Sequence, residues 1–480
     1  MSVDLADPTA RADVVQRLGG LYAGRPVVLG PGVLAGFTPL VARLRALGCP
    51  VLVLATGRGV GAVPAPQDCT VVDVELPPTS SMTEEVRVLD RATRDLPAAV
   101  VAAIDAFDPA REAIWRTTPF VASDEPLWGR WVTGGRPRAW LALEDKLLAD
   151  RVWDAAGVAR VPSRVCEVSA GLEALEAATA ELAGPLGAVW SGDARDGLNG
   201  GGNFVQWVGT GAGGADGADG RAAAFAFFAP RCDRVRVMPF LDGVPCSVHG
   251  IVVDDGPGGT AALRPVELAI LRHPGERRFV YGGLSTWWDP PPADRESMRA
   301  AVRRVGAHLA EAHGYRGGFG IDGVLTADGF RPTELNSRFS AGLTTLADVD
   351  PALFQLLQDH LVAGLDPGLG AADLESVVPL LDAERVGAPR AVGQGVSLGG
   401  DVEHDVVLVD GRLEPAPDGA ATGTTLVAAD TPVGFFAKLD PCALLTPGQR
   451  LAPLNVALLD LLDREHGTGF GALEAAPDLR

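Results

Sequence analysis

The chain has 480 residues, 47% of them hydrophobic, enough for two or three domains with buried cores and too apolar for a wholly disordered protein. Its 41 basic and 61 acidic residues leave a net charge of −20, which repels phosphate backbones and argues against a nucleic-acid partner. No uninterrupted apolar stretch reaches the roughly 20 residues that a membrane helix needs, so no membrane partner is expected.

The first residues, MSVDLADPTARADVVQRLGG, place aspartate before any arginine and lack an apolar core, which predicts an amphipathic surface helix and not a signal peptide. Cys49, Cys69, Cys166, Cys232, Cys246 and Cys442 are scattered without a CxxC pair. That pattern suits reduced thiols in the cytoplasm and argues against structural zinc. Segment 26–32 (PVVLGPG) predicts a strand entering a Gly-rich turn, 37–48 a helix closed by Gly48, and 50–59 the next strand. Further strands are expected at 70–76 and 98–104, with a helix over 83–95. This alternation implies a doubly wound parallel sheet ending near residue 140. Gly30-Pro31-Gly32 is not a GxGxxG pattern, and Pro31 removes a donor, so no nucleotide site is expected there.

A helix-led block opens at 143–162, and from there to about 365 strands and helices mix without a βαβ beat. Segment 209–221 (GTGAGGADGADGR) is a low-complexity loop. The tail from about 370 holds short strands, with a turn at Asp410-Gly411, and a final helix over 452–467. The expected fold class is thus α/β followed by α+β, with units 1–140, 141–368 and a β-rich extension, 369–480. No internal repeat is present.

The segment most informative about chemistry is 316–343, RGGFGIDGVLTADGFRPTELNSRFSAGL, two β-type runs around Ala327-Asp328-Gly329. A two-residue Asp-Gly turn would set Asp322 opposite Leu335 and turn Glu334 to the other face. A three-residue loop, with Gly329 left-handed in a bulge, sets Thr326 opposite Phe330 and Asp322 opposite Glu334, with Asn336 on the same face. The three-residue loop is preferred because it gathers every oxygen ligand on one side. Facing carboxylates repel unless a cation lies between them or one is protonated. Two carboxylates and an amide oxygen suit Mg²⁺, whose octahedron water and phosphate oxygens would complete. An ordinary exposed hairpin with solvated acids is the competing reading.

With its upstream context, this hairpin resembles the metal-binding end of the ATP-grasp ligases, which carry a comparable Asp…Glu-x-Asn arrangement. The resemblance covers about 141–365 well and the flanks loosely. It implies a pre-ATP-grasp domain, an ATP-grasp domain with a nucleotide half at about 141–240 and a metal half at about 241–368, and ATP with Mg²⁺ as cofactors. Glu144-Asp145-Lys146 opens a helix that looks like the one whose lysine reaches the nucleotide phosphates. Only Lys146 and Lys438 are lysines among the basic residues, so Lys146 marks a place where a compact point charge fits. Leu198 to Asn203 resembles the Gly-rich loop over the phosphates, with Gly200, Gly201, Gly202 and Asn203 as its contacts. Met238, Pro239, Phe240 and Leu241 match the hinge along the adenine. His249, in the following strand, is expected to be a satisfied core residue.

The pattern is incomplete. Trp190 or Ser191 occupies the slot of the usual second phosphate-binding lysine, Pro245-Cys246 fall where a ribose-binding glutamate is familiar, and Gly320-Ile321 precede Asp322 where an arginine is common. Arg195 and Arg338 are the expected substitutes, Asn336-Ser337-Arg338 resembling the N-x-R of carboxylase-type members. Within the superfamily the segments 238–250, 263–272 and 330–342 resemble pheganomycin-type peptide ligases, which implies a carboxylate and an amine or peptide acceptor in natural-product assembly. Arg264 is expected to clamp the carboxylate and Glu267 an ammonium group, a surface ion pair being the alternative for both. Rival functions are an aminoacyl carrier-protein ligase, a nicotinamide oxidoreductase on the first domain, and a binding module without catalysis. Ligases of this size are often homodimers, although no segment identifies an interface. Lys438, in GFFAKLD, either helps close the site or is a plain surface lysine.

Overall fold

The computed structural model describes residues 2–198, 200, 202–211, 217–254, 256, 258–417, 422–431 and 434–480. Its first sheet comprises β1 (Val27–Val33), β2 (Val51–Gly57), β3 (Thr70–Asp73), β4 (Ile114–Arg116) and β5 (Trp131–Thr133) in the order β3-β2-β1-β4-β5, every pair parallel. Val27, Leu29 and Val53 feed one core and Val28, Leu52 and Leu54 another, so the sheet is covered on both faces, as unbroken apolar runs require.

Segment 98–104 corrects the sequence reading. It belongs to a helix, Ala98–Phe107, and the strands that extend the sheet are the short β4 and β5. A short apolar run does not by itself distinguish strand from helix, and here alanine-rich composition with Val100 and Ile104 on one buried face decides for the helix.

A second, antiparallel sheet holds β6 (Arg164–Glu167), β7 (Ala188–Gly192), β8 (Val205–Val208) and β9 (Arg234–Pro239), ordered β6-β9-β7-β8. The third contains β10 (Val244–Val252), β11 (Thr260–Ala262), β12 (Val266–His273), β13 (Arg278–Ser285), β14 (Gly317–Thr326) and β15 (Gly329–Asn336). Its order is β13-β12-β10-β14-β15, with β11 paired to β10, and every pair is antiparallel. The long helix Pro292–His313 buries Met298, Val302, Val305 and Leu309 against one face. Gly250 and Gly306 allow that approach, since a Cβ would come within 2.5 Å of Val302 and 2.4 Å of Thr260 respectively. The opposite face, carrying Ser247, Asp322 and Glu334, is left for a site.

The C-terminal sheet holds β16 (Arg390–Gln394), β17 (Val402–Val409), β18 (Arg412–Pro415), β19 (Thr424–Thr431) and β20 (Gly434–Cys442), ordered β16-β20-β19-β17-β18. Asp410 and Gly411 turn between β17 and β18 with φ of 48° and 79°, the hairpin conformation that the Asp-Gly pair predicts. The helix Leu451–His466 closes this unit. No helix among the described residues is long and apolar enough to cross a membrane.

Candidate active site

Asp322 on β14 faces Glu334 on β15, and Asn336, two residues on, shares their side. The route to this register differs from the expected one. The hairpin loop has two residues, Ala327 and Asp328, with Thr326 paired to Gly329, and the extra residue sits further along as a bulge at Thr333, between the pairs Gly323–Pro332 and Asp322–Glu334. Pro332 has no N–H to give the ladder, so pairing breaks there, and the Thr333 hydroxyl donates to the Asp322 carbonyl at 3.2 Å.

The Asn336 amide donates to Asp322 Oδ2 at 2.9 Å, and Ser247 on β10, paired with Asp322 across the strands, adds a hydroxyl hydrogen bond. Burial, and next the charge of Glu334, push the Asp322 carboxyl up to about 6, against the pull of Ser247, Asn336 and Lys146. A cation among these groups would remove the repulsion. Two carboxylates and an amide fit Mg²⁺, which retains water and phosphate ligands, better than a fully protein-ligated ion. Among the described residues no cluster of three or more His, Cys, Asp or Glu side chains gathers for a metal.

Lys146 is not on a helix. A 3-10 turn spans Arg138–Glu144, the regular helix is Ala149–Ala155, and the Asp145 carboxylate accepts from the Leu147 N–H at 3.0 Å, breaking the backbone between them. The Lys146 ammonium thereby drops onto Glu334. Glu144, just before it, is buried between Arg136 and Arg338, with Arg338 2.5 Å away. Burial would raise the Glu144 carboxyl, but the guanidiniums of Arg338 and Arg136 bring it below its ordinary value. Arg338 also stacks over Phe120, 5.2 Å from the ring centre.

The Gly-rich loop docks onto the first domain. The Thr83 hydroxyl donates to the Gly200 carbonyl at 2.7 Å and receives the Gly200 N–H at 3.1 Å, while Arg87 donates to the Leu198 carbonyl at 3.0 Å. Asn203 lies 3.4 Å from the Thr83 hydroxyl, and Gly202 takes a φ of 71°, which favours glycine. Gly201 lies outside the described residues, as do residues 212–216 of the low-complexity loop. At the hinge Met238 and Phe240 are buried and Pro239 and Leu241 partly so, Pro239 pairing with Ala188, and Trp207 tilted against Phe240 with ring centres 4.6 Å apart.

Three expected residues are engaged elsewhere. Arg195 pairs with Asp196 in an exposed loop and donates to the Pro230 carbonyl at 2.8 Å. Arg264 is fully buried, donating to the carbonyls of Leu381 and Trp288 and to Asp289, so it cross-braces loops and has no free edge for a substrate carboxylate. Glu267 pairs with Cys246, which aligns with Gly323, so alternation turns its side chain to the face opposite Asp322. There it accepts from Arg450 at 2.7 Å and from the Leu451 and Ala452 N–H groups, capping the last long helix. Neither is the surface pair that sequence allowed, because both are buried.

His249 lies in the core but is only half satisfied: its Nε2 is 3.1 Å from the Ser247 hydroxyl, its buried Nδ1 makes no hydrogen bond, and burial lowers its imidazole to about 3. Trp190 also points inward, donating to Thr179 at 2.9 Å, which leaves Ser191 on the other face. Across from Ser191 on β9 stands Arg236, which sequence reasoning passed over. Its only signal was a charge inside an otherwise apolar strand, VRVMP.

No protein-family model matches the chain, and no curated protein matches it. Carboxyaminoimidazole ribonucleotide synthase from Aspergillus clavatus, solved with ATP, is 13% identical with a TM-score of 0.50, over 92% of this chain and 99% of that one. Pyruvate carboxylase from Rhizobium etli gives 13% and 0.50 over 92% of this chain and 37% of that one. L-amino acid ligase from Bacillus licheniformis gives 14% and 0.47 over 86% and 93%. The first two share this chain's fold over 92% of its length.

Proposed function

We propose that the protein is an ATP-dependent ligase that joins a small-molecule carboxylate to an amine through an acyl phosphate, with Mg²⁺ held by Asp322, Glu334 and Asn336. The observation that carries this reading is the convergence of those three side chains and Lys146 on one face of the third sheet. The ion would neutralise charge on the phosphates. Lys146 supplies a cation beside the same acids, Arg338 a guanidinium braced by Glu144, and residues 238–241 a strip for the adenine. Gly202 and Asn203 would offer backbone and amide groups to the phosphates, while Gly200 anchors the loop through Thr83.

In the first step a carboxylate oxygen of the substrate attacks the γ-phosphorus, the bond to the β-phosphate oxygen breaks, and ADP leaves. In the second the amine nitrogen attacks the acyl carbon, the bond to the phosphate oxygen breaks, inorganic phosphate departs and the nitrogen loses a proton. Binding in fixed geometry supplies most of the rate. Units 1–140, 141–368 and 369–480 divide the work into substrate shelf, ATP site and extension. The likeness of 238–250, 263–272 and 330–342 to pheganomycin-type ligases favours an amino-acid-like carboxylate and a peptide amine in natural-product assembly.

The test is incubation with ATP, Mg²⁺ and amino-acid pools, following nucleotide products. Substrate-dependent ADP and phosphate support ligation. AMP with pyrophosphate overturns the acyl-phosphate route, and silence with every pool favours a binding module.

A further inference from the structure

Ser247 and His249 lie two residues apart on β10 and share the face that carries Asp322, Ser247 pairing with Asp322 and His249 with Gly320. Both are buried, at 0% and 1% exposure. Two glycines make the slot for the imidazole: a Cβ on Gly320 would lie 2.9 Å from His249 Cδ2, and one on Gly342 2.1 Å from Cε1. The imidazole Nε2 is 3.1 Å from the Ser247 hydroxyl, and that hydroxyl is hydrogen-bonded to the Asp322 carboxylate. Nδ1 meets no partner among the described residues.

The protons available fix the direction of this chain. A hydroxyl has one hydrogen to give, and a neutral imidazole has one N–H. With its proton on Nδ1, the ring could only accept at Nε2. It would take the Ser247 hydrogen away from Asp322 and leave a buried N–H unpaired. With its proton on Nε2, the ring donates to Ser247, the Ser247 hydrogen goes to Asp322, and only a lone pair is left bare. The second arrangement makes two hydrogen bonds where the first makes one, and an orphaned buried N–H is the rarer defect.

We propose that His249 is a positioning residue for the metal site: as the Nε2–H tautomer it donates to Ser247 and so commits the Ser247 hydroxyl to the Asp322 carboxylate. The Asn336 amide donates to Asp322 Oδ2 at 2.9 Å, so the carboxylate is held from both neighbouring strands, β10 and β15. Hydrogen bonds of this kind orient a ligating carboxylate before the ion arrives. The proposal rests on the ligase reading above and identifies what aims the first of its metal ligands.

Two measurements test it. Long-range ¹H–¹⁵N spectra of the apo protein, with the His249 signal identified by its loss in His249→Phe, should show a protonated Nε2 and a bare Nδ1. The opposite tautomer overturns the proposal. Titration with Mn²⁺ in place of Mg²⁺, followed by EPR with a non-hydrolysable ATP analogue present, should show Ser247→Ala weakening the ion roughly 10- to 100-fold. The same variant should bind the metal-free analogue within about twofold of wild type. His249→Phe should weaken Mn²⁺ in the same direction, and the double variant no more than Ser247→Ala alone, because the imidazole acts only through the hydroxyl. Additive losses, or unchanged Mn²⁺ affinity in Ser247→Ala, overturn the proposal and leave His249 as core packing. If His249→Phe does not fold cooperatively, the signal is identified by its shift in Ser247→Ala, and the tautomer with the Ser247→Ala affinity decides. Wild type that takes up no Mn²⁺ overturns the ligase reading itself, a result distinct from metal binding that neither variant changes.

Discussion

Lys146 and Glu334 form an ion pair in which the lysine side chain is 6% exposed and the glutamate 29%, so the ammonium is the more deeply buried partner. The ammonium balances one of the two facing acids, and the other keeps its charge only at a cost. Replacing Lys146 by Met removes that balance and the compact cation together. The expected loss in kcat/KM for ATP is roughly 10²- to 10³-fold, the scale seen when one preorganised charge is removed from an active site. Steady-state ADP release measures it, and a loss under tenfold would place Lys146 outside the chemistry.

The Asp322 carboxyl, pushed from 3.8 to about 6, makes apo stability depend on pH. Below about 4 the group is protonated in both folded and unfolded chains and costs nothing. Between about 4 and 6 the folded chain holds the proton more tightly, so stability falls as pH rises, and above 6 the full penalty of roughly 3 kcal/mol applies. Asp322→Asn should therefore be more stable than wild type at pH 8, by an amount of that order, and no more stable at pH 4. Urea unfolding at the two pH values without magnesium reads the difference, and equal differences at both would remove the burial argument.

Glu144 lies between two buried guanidiniums that have no other carboxylate beside them among the ion pairs described. Glu144→Ala leaves Arg136 and Arg338 uncompensated and should destabilise the protein by about 3–5 kcal/mol. Combining it with Arg338→Met should recover part of that loss. A denaturant titration of the single and double variants distinguishes this coupling from simple additivity.

Glu267 tests the reassignment from substrate contact to helix cap. Glu267→Gln should lower stability by about 1–3 kcal/mol, through a weakened Arg450 pair and weakened hydrogen bonds to Leu451 and Ala452. Its KM values for carboxylate and amine should stay unchanged. A selective rise in the amine KM would restore the role that the sequence suggested.

Gly342 leaves no room for a side chain, since a Cβ there would lie 2.1 Å from His249 Cε1. Gly342→Ala should cost about 1–3 kcal/mol through overpacking. His249→Ala in the same chain should relieve much of it, as thermal melts of the two variants would reveal.

The parallel pair β1 and β2 was legible because those strands are buried on both faces and read as unbroken apolar runs, whereas the three-residue β4 and β5 were missed and Ala98–Phe107 was mistaken for a strand, its apolar run being equally compatible with one. The acidic pair was legible too: side-chain alternation demands one extra residue somewhere between Asp322 and Glu334 if they are to face each other. Where that residue goes was decided by the fold, which places it at Thr333 after Pro332 and not in the loop. Arg264, Glu267 and Arg236 were beyond reach of the sequence for a common reason. Their partners, Leu381, Arg450 and Lys146, are 117, 183 and 90 residues away along the chain. Spacing along one strand fixes which face a charge occupies, but only packing between distant segments fixes whether that charge meets a counter-ion, a helix end or an open cleft.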